Sequence, residues 1–339
     1  MAADHTKSAA FLFGVEYSRR MIRIASIWTA IALLLASTAV HPADIFPRAQ
    51  KPLDAYFDKL QAGGQVSGSI AISERGIMRY QRSIGFATIV NSVPQPADGG
   101  TRYRIGAVTR LFTTALTLQL AEGGSITLDN KVAEFFPDVP DALKVSYRDV
   151  LMRRSGLTEE SNYLLLGYML EKVYEKPYAD IVARRIAAKA GLSRTYYKGT
   201  GTAKTLESVS YHWEPDGWKA EVITDTQMVG GAGGMVSNAA DLVTFMDALL
   251  AGRIVSQQSL ATMQGEDDNP AIGLYPVTIG DVAGFGERGT AESFNAVVYH
   301  FPAQKVSLAW TSNASRIPLD HLLGEISGVV FDKRRKSPK

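Results

Sequence analysis

Ala107 and Arg110 stand three residues apart at the start of an apolar-periodic run, Tyr103-Arg-Ile-Gly-Ala-Val-Thr-Arg-Leu-Phe-Thr-Thr-Ala115. A hydroxyl at the first position and an amine at the second would share one face of a helix. The amine could then take the hydroxyl proton and leave an oxygen nucleophile for attack on a carbonyl. That is the S-x-x-K frame, and here both of its chemical residues are replaced. Alanine has no nucleophilic atom, and the guanidinium stays protonated and cannot serve as a base. Thr109 is a poor substitute, because a residue two positions on points roughly 200° around the helix. Thr113 and Thr114 lie farther along it.

Other chemistries find little support. The sequence contains no cysteine, which excludes disulfides, thiolate nucleophiles and cysteine metal sites. His41, His212, His300 and His321 have no ligand-like spacing, so each reads as a surface or packing residue, with no metal expected. Gly230-Gly-Ala-Gly-Gly234 lacks the preceding parallel strand and the acidic partner of a dinucleotide fingerprint, and no cofactor is expected. A net charge of +2 over 339 residues leaves no footprint for nucleic acid. The basic end Lys333-Arg-Arg-Lys-Ser-Pro-Lys339 reads as a solvated terminus.

The elements that would position these residues follow from periodicity. Residues 1–39 read as an N-terminal extension and an export signal. Met21 is the more natural start, Ile27 to Leu35 is apolar but short for a membrane span, and small residues end at Ala39. The protein is therefore expected outside the cytoplasm, periplasmic or secreted, with membrane attachment only if the signal is uncleaved. Residues 40–339 read as a single domain. Leu53 to Leu60 suggests a short helix. Ser67 to Ser73 and Ile77 to Ala87 suggest strands about the Glu74-Arg75-Gly76 turn, with a polar loop from Asn91 to Thr101. Val108 to Glu122, Tyr163 to Val173, Tyr178 to Ala190 and Leu242 to Leu250 carry helical patterns, with Ser146 as one cap and Asn238 or Ser237 as another. Glu292 to Phe301 and Lys305 to Thr311 suggest a second strand pair, and Leu319 to Phe331 a closing helix. The order predicts an α/β (α+β) fold: an antiparallel sheet from about 50–107 and 230–331, with a mainly helical insertion over about 108–229.

Several stretches in order carry a family likeness. They include Gly68-Ser-Ile-Ala-Ile, Ala121-Glu-Gly-Gly-Ser-Ile-Thr-Leu-Asp129, Val150-Leu-Met-Arg-Arg-Ser-Gly-Leu157, Asn162-Tyr-Leu-Leu-Leu-Gly167 and Gly233-Gly-Met-Val-Ser-Asn-Ala-Ala-Asp-Leu242. From Leu53 to about Val330 the chain resembles the serine β-lactamase and penicillin-binding-protein superfamily, in its class C β-lactamase, D-alanyl-D-alanine carboxypeptidase and esterase branch.

The resemblance implies three motifs around one pocket. The nucleophile motif falls at Ala107 and Arg110. The second, normally a tyrosine and an asparagine, falls at Thr158 and Glu160 after a shortened loop; Asn162 is a remnant only if the gap is placed differently. The third, a lysine or histidine followed one residue later by glycine on an edge strand, falls at Gly286-Glu-Arg-Gly289, so Glu287 replaces the cation. The ligand pocket expected on this basis comprises Ala107, Arg110, Glu160, Asn162, Glu287 and Gly289. Arg110 and Glu287 would approach each other and either close a salt bridge across the pocket or remain separately solvated. With all three motifs altered, the expectation is an exported homologue that binds a small acyl compound, a peptidoglycan-derived ligand or a protein partner. The alternatives are a hydrolase using unusual groups such as Thr109 or Glu287, and a scaffold or filament-forming protein.

Overall fold

The computed structural model describes residues 45–197, 207–222, 225, 229–265 and 270–331. The expected signal segment and the basic C-terminal end lie outside the described residues.

The chain enters through α1 (Phe46–Gly63), whose buried residues Phe46, Ala49, Leu53, Phe57 and Leu60 recur at helical spacing. Proline in its first turn suits a helix start, and Gly64 ends it in the left-handed conformation. The helix is longer than the Leu53 to Leu60 reading, because Pro52 sits inside it without ending it. Strands β1 (Val66–Glu74) and β2 (Ile77–Ile84) form the expected hairpin. The pattern read as continuous to Ala87 breaks at Gly85, whose φ of 74° turns the chain into β3 (Phe86–Val90). β4 (Val93–Pro96) lies within the stretch read as a polar loop. β5 (Tyr103–Arg104) then leads through the turn Gly106–Val108 into α2 (Thr109–Glu122).

The helical part continues with α3 (Tyr147–Leu151), α4 (Glu159–Tyr174), α5 (Tyr178–Val182), a π turn at Ala183–Ala187 and α6 (Ala188–Ala190). Ser146 and Asp149 close a reciprocal capping box at the start of α3. Ser146→Ala should therefore lower stability by about 1 kcal/mol, read as a shift in the urea midpoint. An unchanged midpoint would show that the box contributes nothing. Short strands β6 (Tyr196–Tyr197), β7 (Tyr211–Glu214) and β8 (Gly217–Ala220) precede the helical turn α7 (Gly230–Gly233), β9 (Met235–Ser237) and α8 (Ala239–Leu250). Asn238 caps α8 by accepting from the Asp241 amide. Helix α9 (Gln257–Gln264) follows. Strands β10 (Tyr275–Ile279), β11 (Val282–Ala291), β12 (Phe294–Phe301) and β13 (Val306–Ser315) lead to α10 (Leu319–Phe331).

Six strands form one antiparallel sheet in the order β10-β11-β12-β13-β1-β2, so both chain ends build it, as the sequence predicts. α1 and α10 cover one face, around Phe57, Trp310, Leu322 and Ile326. α2 and α8 pack under the other, where the rings of Phe112 and Phe245 stack at 4.1 Å. The strand read as beginning at Glu292 begins at Phe294 instead, because Glu292 has a φ of 50° and belongs to a tight turn. Periodicity did not reveal β10 or β11. β10 alternates half-buried with exposed residues, as an edge strand does, and β11, paired on both sides, carries the glycines of its motif in place of apolar residues.

Candidate ligand-binding cleft

Where β11 crosses the start of α2, the two backbones nearly touch. A Cβ on Gly289 would lie 2.2 Å from the Ile105 carbonyl oxygen and 2.5 Å from the Ala107 nitrogen. Gly106, at a φ of 49°, is equally confined, with the Thr290 carbonyl oxygen 2.4 Å from the place of its Cβ. No side chain fits at either contact, so glycine is required at both. This approach fixes Ala107 beside β11, which is not the edge strand expected for the third motif, because β10 pairs along its outer side.

A cleft of about 410 Å³ opens here, lined by Ala107, Arg110, Glu160, Gly289, Thr290 and Glu292 among others. Four of the six expected pocket residues therefore line it: Ala107, Arg110, Glu160 and Gly289. Glu160 reaches it because Thr158, whose hydroxyl accepts from the Ser161 amide, caps α4 and sets its first turn at the rim. Asn162 does not line the cleft. It is fully buried one turn deeper, and its Oδ1 accepts from the Ser155 hydroxyl at 2.5 Å. Thr109 is also fully buried, its hydroxyl accepting from the Met235 amide at 3.2 Å. Its orientation away from position 107 is what the helical angle predicts.

Glu287 shares the face of β11 that carries Gly289, while the intervening Arg288 turns outward to Asp320 at 3.1 Å. It lies behind the cleft wall and is only 8% exposed. Its Oε1 accepts from the Arg288 amide at 3.0 Å, and its Oε2 has no hydrogen-bond partner. Burial raises its carboxyl from the usual 4.5 to about 7, against the opposing pull of Arg110 and Arg153. Neither arrangement expected for Arg110 and Glu287 is seen: no salt bridge joins them, and Glu287 is buried and not solvated. Arg110 contacts Glu159 instead, at 2.7 Å, and Arg153 reaches the same Oε1 at 2.6 Å. That oxygen lies off the guanidinium N–H directions, so both contacts are ionic and not aligned hydrogen bonds.

The sequence reading missed Glu159, Arg153 and Tyr275. Arg110 sits over the Tyr163 ring at 5.4 Å, and Arg153 over the Tyr275 ring at 4.2 Å. The one available signal for Glu159 was its place after a capping threonine, which puts an acid in the first helical turn. On the cleft wall, Arg104 has Glu292 at 3.7 Å; burial lowers its pKa and Glu292 opposes that effect. Among the described residues no cluster of histidine and acidic groups could hold a metal ion, and no helix is long and apolar enough to cross a membrane.

The family model described as Beta-lactamase matches residues 53–323. The putative penicillin-binding protein PbpX of Bacillus subtilis is 21% identical over 299 residues, covering 78% of this chain and 74% of its own. The teichoic acid D-alanine hydrolase of Staphylococcus aureus is 20% identical over 193 residues, covering 47% of this chain and 48% of its own. Among solved structures, D-amino acid amidase from Ochrobactrum anthropi superposes with a TM-score of 0.73 at 21% identity, over 84% of this chain and 97% of that one.

Proposed function

The chain belongs to the beta-lactamase family, and from that premise we infer that its cleft binds a ligand without performing acyl transfer. The observation that carries this reading is the methyl group of Ala107 at the cleft, where the family motif requires a nucleophilic hydroxyl. The nearest helical hydroxyl, Thr109, is buried and engaged by the Met235 amide. The base position is equally unsuited, because Arg110 is a permanent cation held against Glu159. Losing the nucleophile of a serine hydrolase costs on the order of 10⁶ in turnover. Polarised backbone groups and binding alone retain only about 10³–10⁴ over water.

The ligand class in this reading is a small acyl or cell-wall-related compound, or a protein partner. The relatives named for penicillin binding and for D-alanine hydrolysis support the first two. The segment before Ala39 supports an exported protein.

A second reading, residual hydrolysis, has one observation in its favour: Thr290, a residue that bears a hydroxyl, is among those lining the cleft. Intact-mass analysis after incubation with a fluorophosphonate and with a fluorescent penicillin separates the two. The wild type should gain no adduct, and nitrocefin and p-nitrophenyl acetate should not turn over above buffer. An adduct mapped to Thr290, or to any other residue, would replace the binding reading with the hydrolytic one.

A further inference from the structure

Behind the cleft wall, two guanidinium groups and two carboxyl groups meet: Arg110, Arg153, Glu159 and Glu287. Glu159 Oε1 touches both arginines, at 2.7 and 2.6 Å. Glu287 makes no ion pair within 4.0 Å and leaves Oε2 unpartnered, although its charge acts on both arginines. Arg110 is the member of the group that lines the cleft; its side chain is 16% exposed and its Nε has no hydrogen-bond partner. The other cleft arginines have carboxylates of their own, Glu292 for Arg104 and Asp320 for Arg288.

The charge count depends on one proton. With Glu287 neutral, two cations share the single charge of Glu159, and one positive charge is left over among the four groups. With Glu287 ionised, the four groups cancel. A buried surplus cation is costly unless an anion matches it. We infer that Arg110 anchors an anionic, carboxylate-bearing ligand in the cleft, and that Glu287 is the internal carboxyl that competes for it.

This assignment rests on the cleft being a binding site. It specifies what that site recognises: a carboxylate held by a planar guanidinium fork. Ligand affinity then falls as pH rises through the range in which Glu287 ionises. The groups facing Glu287 are Arg110 from α2, Arg153 from the segment before α4, Glu159 and Tyr163 from α4, Tyr275 from β10, the Arg288 amide on β11 itself and Tyr299 from β12. The tyrosines stay protonated throughout, since burial raises all three. The arginines stay charged. Glu287 is thus the group whose raised carboxyl titrates near neutral pH.

Calorimetric titration of the full chain with N-acetyl-D-alanine, and with its neutral amide, tests the assignment. A carboxylate of this kind is ionised across the whole range from about pH 5.5 to about pH 8.5. Wild type should bind the carboxylate about tenfold more tightly at the lower pH, and the amide should show no such dependence. Glu287→Gln should bind the carboxylate tightly at both values. Arg110→Met should lose binding, while Arg110→Lys, which keeps the charge, should retain part of it. Thermal melts of each variant identify any loss that reflects unfolding, and Arg110→Lys then carries the comparison.

Absence of carboxylate binding at either pH would overturn the assignment. So would a pH dependence that survives Glu287→Gln, or wild-type affinity in a folded Arg110→Met. Fluorophosphonate treatment of the same samples keeps the two readings separate. Labelling would remove the non-hydrolytic reading itself, whereas no labelling and no carboxylate binding would remove only the role given to Arg110.

Discussion

Combining Ala107→Ser with Arg110→Lys should restore covalent labelling by a fluorophosphonate, with the adduct on residue 107. The scaffold for the reaction is in place, because β11 still crosses the start of α2 with Gly289 packed against the Ala107 nitrogen. A serine there would project from the same turn into the same cleft. Ala107→Ser alone supplies the atom but no base, since Arg110 cannot accept its proton. A positioned base is worth about 10²–10⁴-fold, so the double variant should label at least about 100-fold faster than the single one. Glu159 limits the gain. It touches the Arg110 guanidinium at 2.7 Å and would hold a lysine at that position protonated. Adding Glu159→Gln should therefore speed labelling again. A penicillin should label more slowly than the fluorophosphonate, because Glu287 stands where the family places a cation for the carboxylate. If the double variant stays unlabelled while folded, the cleft has lost more than its two chemical residues.

The difference between what could be read from the sequence and what could not follows the range of the interactions. Strands β1 and β2, helices α2 and α10 and the caps Ser146 and Asn238 follow from patterns within a few residues. The altered motif positions were equally local, and four of the six expected pocket residues do line one cleft. Asn162 shows where that reasoning stops. Nothing within the segment says whether a residue one turn into α4 faces the cleft or the Ser155 hydroxyl beneath it. The contact of Arg110 was missed for the same reason. Opposite charges at family-equivalent positions left a bridge to Glu287 or separate solvation open, yet the contact is with Glu159, nearly fifty residues along the chain and placed by a helix cap. Side-chain pairing across a fold depends on which carboxylate can approach a guanidinium while keeping its own water, and the half-exposed Glu159 meets that condition at lower cost than the buried Glu287.

That cost should be measurable in the stability of the protein. Glu287→Gln should be more stable than wild type at about pH 8.5 and indistinguishable from it at about pH 4. Burial raises the carboxyl from 4.5 to about 7, so the folded chain favours its protonated form. The contribution of Glu287 to stability is therefore fully present below the unfolded value of 4.5 and is lost as pH rises through about 7. The displacement corresponds to about 3 kcal/mol at the alkaline end. Glutamine keeps the side-chain oxygen that accepts from the Arg288 amide and cannot ionise, so it should hold its stability across the range. Urea unfolding of both proteins at four or five pH values gives the comparison directly, the wild-type midpoint falling between about pH 5 and 7 and the variant midpoint staying level. A variant less stable than wild type at high pH would mean the reverse: Arg110 or Arg153 closes on the ionised carboxylate in solution, and the fold favours the charged form. If the expected curve is found, the chain carries near neutral pH a buried carboxyl that weakens its own fold. A residue of that kind is easily removed by substitution without loss of stability, so its presence at the cleft wall is better accounted for by the control of Arg110 than by packing.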